Sequence, residues 1–178
     1  MWQLFATDGS RSRLFQRLAL ALVIFPHGAQ KLFGWFGGPG LKGTAGLMES
    51  LGLRPGAAWA PVAALSELGG GVLTALGLLN PLGPIAIVAA MSMATVKAHW
   101  GKPIWVTAGG AELPVTNMAV ALAIALAGSG RYSLDAALGL RVPPALGAVA
   151  ALAAAAGVAT GAVAPAARPA AQASEGAA

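Results

Sequence analysis

The sequence predicts an all-α integral membrane protein: a four-helix bundle with a fifth, Ala-rich C-terminal transmembrane helix. Three observations predict it. Leu14 to Phe33, Ala57 to Leu79, Leu82 to Trp100 and Leu113 to Gly128 are apolar stretches, each close to the roughly 20 residues with which a helix crosses about 30 Å of hydrocarbon. The chain of 178 residues is 57% hydrophobic and 10% charged, with a mean hydropathy of +0.71, whereas a soluble domain carries about 25% charged residues. Finally, His27, Lys31, Glu67, Lys97 and His99 lie inside or at the edges of the first three stretches. A charge at mid-bilayer costs at least about 2.5 kcal/mol, so such residues usually face a bundle interior or a wet cavity.

Met1 to Ser12 reads as a polar entry, and Arg11, Arg13 and Arg17 suit an interfacial anchor. Basic residues before an apolar run also fit a signal peptide. The run leads instead into Pro26, His27, Gly28 and Lys31 with no small-x-small cleavage site, so it is read as a retained first span in which Pro26 makes a kink. Gly34 to Gly56 is a Gly-rich surface loop with a short helix near Thr44 to Leu51, and Trp35 and Phe36 suit the headgroup zone. Asn80-Pro81 separates the second and third spans by a tight turn. A second loop, with Gly101, Pro103, Trp105, Gly109 and Gly110, falls on the same side as Trp35. Glu112 and Pro114 open the fourth helix, where the helix dipole favours an anion and proline is tolerated.

Tyr132 to Leu140 is expected as a small interfacial helix capped by Ser133. Residues 1–140 thus form the four-span domain. Residues 141–164 hold the fifth span, Pro143 to Ala164, whose small residues would pack closely on the bundle. Alanine is only weakly apolar, and the alternative is a loosely attached surface segment. Residues 165–178, rich in Ala and Pro, read as a disordered tail.

The net charge of +5 would suggest nucleic acid in a soluble protein. Here the basic residues flank apolar spans, so they set topology and meet anionic membrane lipid, with no nucleic-acid partner expected. Arg11, Arg13, Arg17, Arg131 and Arg141 on one side balance Lys31, Lys42, Arg54, Lys97 and Lys102 on the other. Setting aside Lys31 and Lys97 as inward-facing puts the N-terminus in the cytoplasm. The absence of cysteine excludes disulfides, thiolate nucleophiles and cysteine-held zinc or iron–sulfur clusters from this sequence, so a redox role requires a bound cofactor or a partner. No metal site is expected, because the two histidines show no HxxxH or ExxH spacing.

His27 and Lys31 lie one turn apart on one helix face, with Arg17 within about 80° of both. The plain alternative is that Arg17 and Lys31 snorkel to opposite headgroup layers while His27 bonds a carbonyl freed by Pro26. Glu67 sits near the middle of the second span, above Gly70, Gly71, Thr74 and Gly77, where another helix or a flat ligand could approach. A carboxylate at that depth needs a partner, and His27 or Lys31 is at matching depth; a merely structural ion pair is the alternative. Lys97 and His99 point roughly 200° apart on an α-helix, so only one can face inward. His99, which shares a face with Ser92 and Thr95, is the expected one.

The run Arg17 to Lys31 (RLALALVIFPHGAQK), the block Glu67 to Gly77 (ELGGGVLTALG), GGAELP at Gly109 to Pro114 and GRYSLD at Gly130 to Asp135 together resemble the DoxX family over about Arg13 to Leu138. The resemblance implies a small prokaryotic four-helix protein of the inner membrane, related to the membrane subunit of a thiosulfate:quinone oxidoreductase and partnered by soluble or membrane redox proteins. It places His27, Lys31, Glu67, Glu112 and Asp135 at the family's recurring polar positions. The function expected is that of a membrane subunit of a quinone-linked oxidoreductase system. His27, Lys31 and Glu67 are the catalytic candidates, and these three with His99 and Glu112 the candidates for binding quinone. A non-catalytic scaffold or assembly subunit is the alternative.

Overall fold

Backbone groups in hydrocarbon must find partners within the chain, and a helix satisfies them segment by segment. In the computed structural model, which describes residues 9–165, every regular element is helical. The expected tail therefore lies, apart from Pro165, outside the described residues. Helix α1 (Ser10–Phe33) runs through Pro26 without a break and stops at Gly34, whose left-handed backbone (φ 75°) lets its N–H bond Gln30 O. A short 3-10 turn at Trp35–Gly37 leads to α2 (Gly40–Ser50), which begins four residues before the helix expected there. Thr44 Oγ1 donates to Lys31 O at 3.2 Å and ties α2 to the end of α1.

Helix α3 (Gly56–Leu76) ends on left-handed Gly77, and α4 (Leu82–Ala94) returns beside it and passes into a π-helical turn at Thr95–His99. Helix α5 (Glu112–Ala127) follows the second loop. Helix α6 (Leu134–Leu138) carries the expected Ser133 cap, which accepts from Ala136 N. Helix α7 (Pro144–Val163) closes the order. Among the described residues, three helical segments, Gly56–Leu76, Leu82–His99 and Pro144–Val163, are long and apolar enough to cross a membrane, and α5 is a shorter apolar helix. Helix α1 is longer than any of these but carries Arg11, Arg13, Arg17 and Lys31.

Because lipid tails are as apolar as leucine, helices in a membrane associate through close packing and small residues rather than by escaping water. The contact of α1 with α3 shows this. A Cβ on Gly28 would lie 2.3 Å from Leu68 N, and one on Gly71 would lie 3.2 Å from Phe25 N. Gly70 and Gly83 do the same between α3 and α4, where a Cβ on Gly70 would sit 3.0 Å from Ile87. The glycine face beneath Glu67 is thus filled by neighbouring helices and leaves no slot for a flat ligand. Two apolar clusters complete the packing. Leu20, Ile24, Ile87, Met91, Ala121 and Ile124 join α1, α4 and α5, and Met48, Leu53 and Ala60 anchor the α2 end against Met93 and Ala164.

Candidate functional site

Glu67 projects from the middle of α3 into the interior, and Lys31 reaches it from the last turns of α1. Lys31 Nζ donates to Glu67 Oε2 in the one ion pair found among the described residues. The side chains are only 21% and 6% exposed, respectively, so the pair is an interior one. Its geometry follows from the α1–α3 contact. Gly28 meets Leu68, the neighbour of Glu67, and Lys31, about 60° round the helix from Gly28, has the long stem needed to bend back to the carboxylate.

The pair lies on the wall of a cavity of about 460 Å³ bounded by α2, α3, α4 and α7. Most of that wall is Ala, Val, Leu, Ile and Met. The polar groups on it are Lys31, Ser66, Glu67 and Lys97. Beside it, a cavity of about 520 Å³ shares Leu51 and Lys97 and opens among Ser50, Trp100 and Ala164. Lys97 therefore stands where the two meet, and its ammonium donates to Ala164 O at 2.9 Å.

The expected pocket of His27, Lys31, Glu67, His99 and Glu112 is accordingly corrected. His27 is exposed on the outside of α1, because the face that meets α3 runs through Gly28, its short side chain points away from that contact, and Pro26 does not turn it inward. His99 Nδ1 donates to Gly109 O at 2.7 Å and serves the loop after α4. Glu112 Oε2 accepts from Val106 N at 2.9 Å and holds the same loop onto the start of α5. The inward residue is Lys97, not His99. The cavity takes the face of Ala89, Ala90, Met93, Ala94, Lys97 and Ala98, on which Lys97 stands one turn beyond Met93, whereas the face of Ser92 turns to Met118 of α5.

A second polar centre, at the opposite end of α1, was not foreseen as a unit. Arg17 is 1% exposed and donates to Ser129 O and Tyr132 O, each at 2.6 Å. Asp135 accepts from Leu79 N at 2.7 Å, Asn80 N at 3.0 Å and Ser129 Oγ at 3.0 Å, fastening the α3–α4 turn. Gly77 lies between them: a Cβ there would fall 1.9 Å from Arg17 Nη1. Arg17 therefore turns inward and does not snorkel. Arg17, Gly77 and Asp135 stand at the ends of three of the motifs quoted above, which is the signal that could have revealed the knot. Its bonds close the end of the bundle and leave the cavity chemistry to Lys31, Glu67 and Lys97.

Among the described residues no group of three His, Asp or Glu side chains is placed to hold a metal ion. The cavity residues do fit an amphiphile with a hydrogen-bonding head, since ammonium donors and a carboxylate share an otherwise apolar wall. In comparison with known proteins, the DoxX family model matches residues 12–100. No curated protein and no solved structure matches the chain.

Proposed function

Because the chain belongs to the DoxX family, which makes it a small membrane protein, we propose that it is the integral membrane subunit of a quinone-linked oxidoreductase system. In this reading α1, α3, α4 and α5 are the four spans and α7 is a fifth, in a prokaryotic inner membrane with the start of α1 on the cytoplasmic side. The observation that carries it is the largely enclosed Lys31–Glu67 pair, with Glu67 buried and Lys31 part-buried, on the wall of an otherwise apolar cavity. An ionisable pair at such depth is a functional candidate by default, and an apolar pocket with a few convergent polar groups is the usual form of a small-molecule site.

A bound quinone would supply two-electron, two-proton chemistry. The residues that would hold it are Lys31 and Lys97 as donors to its oxygens. Lys31 occupies Glu67 Oε2, so Oε1 is the atom that would hold or pass a proton. The apolar wall keeps water from that exchange. The primary redox centre would belong to a soluble or membrane partner protein, consistent with a chain that has no cysteine.

The test is quinone retention. Wild type purified in native lipid particles should carry extractable quinone, and the double variant Lys31→Met, Glu67→Leu should fold, assemble and carry none. Equal retention by a folded double variant would leave the pair a structural one and favour a scaffold subunit.

A further inference from the structure

Helix α7 lies wholly outside the family-matched residues, yet it forms one wall of the cavity. How it is held is informative. Its buried residues are Gly147 and Gly161. A Cβ on Gly147 would touch Pro81 at 3.4 Å, and one on Gly161 would fall 2.1 Å from Met93 Cε. The second attachment is reinforced by the Lys97 bond to Ala164 O. Between these points the cavity is lined by Ala150, Ala153, Ala154, Gly157 and Val158, and a Cβ on Gly157 would meet nothing within 4 Å. Helix α7 is therefore fixed at both ends and bridges open space in its middle.

The two fixed points are about 21 Å apart at 1.5 Å of rise per residue, so the space is a slot running along the helices. Its chemistry is graded. Near the α3–α4 turn the wall is Leu82, Ile85 and alanine, while Glu67, Lys31 and Lys97 lie from its middle toward the other end. The apolar stretch of this wall offers ordered water no hydrogen-bond partners; within a membrane it would take up a hydrocarbon chain.

We infer that the space under α7 is a tail channel: the site takes a single-chain amphiphile lying lengthwise, its hydrogen-bonding head at Lys31, Glu67 and Lys97 and its hydrocarbon or isoprenoid tail between α4 and α7. This deepens the quinone reading and rests on it for the head, while the channel itself rests on the cavity. Tail length is then a determinant of specificity, set by a helix that the matched segment lacks.

The experiment measures binding to the full chain in lipid nanodiscs of three probes: a quinone with one isoprenoid unit, the same quinone with a long polyisoprenoid tail, and a long-chain monoacylglycerol. The fill variant is Gly157→Phe, chosen because position 157 has room for a side chain without disturbing either attachment. Wild type should bind the long-tailed quinone at least about tenfold more tightly than the short one, and Gly157→Phe should abolish that difference while holding short-tail affinity within about twofold. Equal binding of both quinones by wild type, or an unchanged preference in Gly157→Phe, overturns the channel and leaves the quinone reading standing. Binding of monoacylglycerol that Gly157→Phe abolishes, without quinone binding, supports the channel and overturns the quinone head. Failure of all three probes overturns both. Ala154→Phe, from the same wall, serves if Gly157→Phe does not fold.

Discussion

Gly77→Ala should be among the most damaging single-methyl additions this protein can suffer. Gly77 has φ 61°, in the left-handed region that costs an L-residue with a side chain about 1–2 kcal/mol. The new Cβ would also lie 1.9 Å from Arg17 Nη1 and 2.6 Å from Ser133 Cβ. A guanidinium can often swing aside, but this one is fully buried and holds Ser129 O and Tyr132 O. Displacing it breaks at least one charge-assisted hydrogen bond, worth about 1.5–3 kcal/mol. The sum is about 2.5–5 kcal/mol, a large share of the roughly 5–15 kcal/mol that holds a typical fold. The assay is unfolding in detergent by tryptophan fluorescence, with Gly69→Ala as the control. Gly69 lies within α3, the helix that Gly77 terminates, with ordinary helical backbone and open space around its missing Cβ, so alanine there should be neutral or stabilise by about 0.5–1 kcal/mol. If Gly77→Ala unfolds within about 1 kcal/mol of wild type, the typical size of a point-mutation effect, the account of the Arg17 knot is wrong.

Three further outcomes follow from named contacts. For the interior pair, Lys31→Met and Glu67→Leu made singly should each cost about 3–5 kcal/mol, and the double should cost less than either, because only the singles strand a buried charge; denaturant or thermal melts of the three variants check the ordering. Asp135→Ala should lower stability by about 2–4 kcal/mol through the Leu79 and Asn80 amides it abandons, and hydrogen exchange should quicken at those two positions first. For topology, Ser12→Cys and Lys42→Cys give clean reporters in a chain without cysteine. Impermeant maleimide should label Lys42→Cys in intact cells and Ser12→Cys only after permeabilisation, and the reverse pattern would invert the orientation.

The helices were legible because apolar length is a coarse signal: α3, α4, α5 and α7 fall within a few residues of the stretches read from hydropathy. The contact of Lys31 with Glu67 was legible for a different reason, since a mid-span carboxylate needs a partner and few cations lie at its depth. Periodicity grouped residues by face but did not say which neighbour each face meets. Lys97 lies on the Ala89–Met93 face that lines the cavity, while the Ser92 face chosen for His99 meets Met118 of α5, and a count of 100° per residue does not say which face a cavity takes. His27 was misplaced because the side of α1 that packs is chosen by Gly28, through a backbone contact with Leu68 that charge and hydropathy do not register. The knot of Arg17 depends on carbonyls at Ser129 and Tyr132, more than a hundred residues away in sequence. Only the tertiary fold brings those together.

Helix α7 begins beside Pro81, where α4 starts, and ends beside Met93, near where α4 finishes, so the two run in the same direction. Helix α1 starts at the Arg17 end, next to the α3–α4 turn. Residue 9 and residue 165 consequently emerge at opposite ends of the helices. With only four crossings, both would be handed to one compartment. With α7 as a crossing, a reporter fused after residue 165 and one placed before α1 address different compartments, and whatever docks on the Lys97 end meets the far end of α7 while never seeing the entrance to α1.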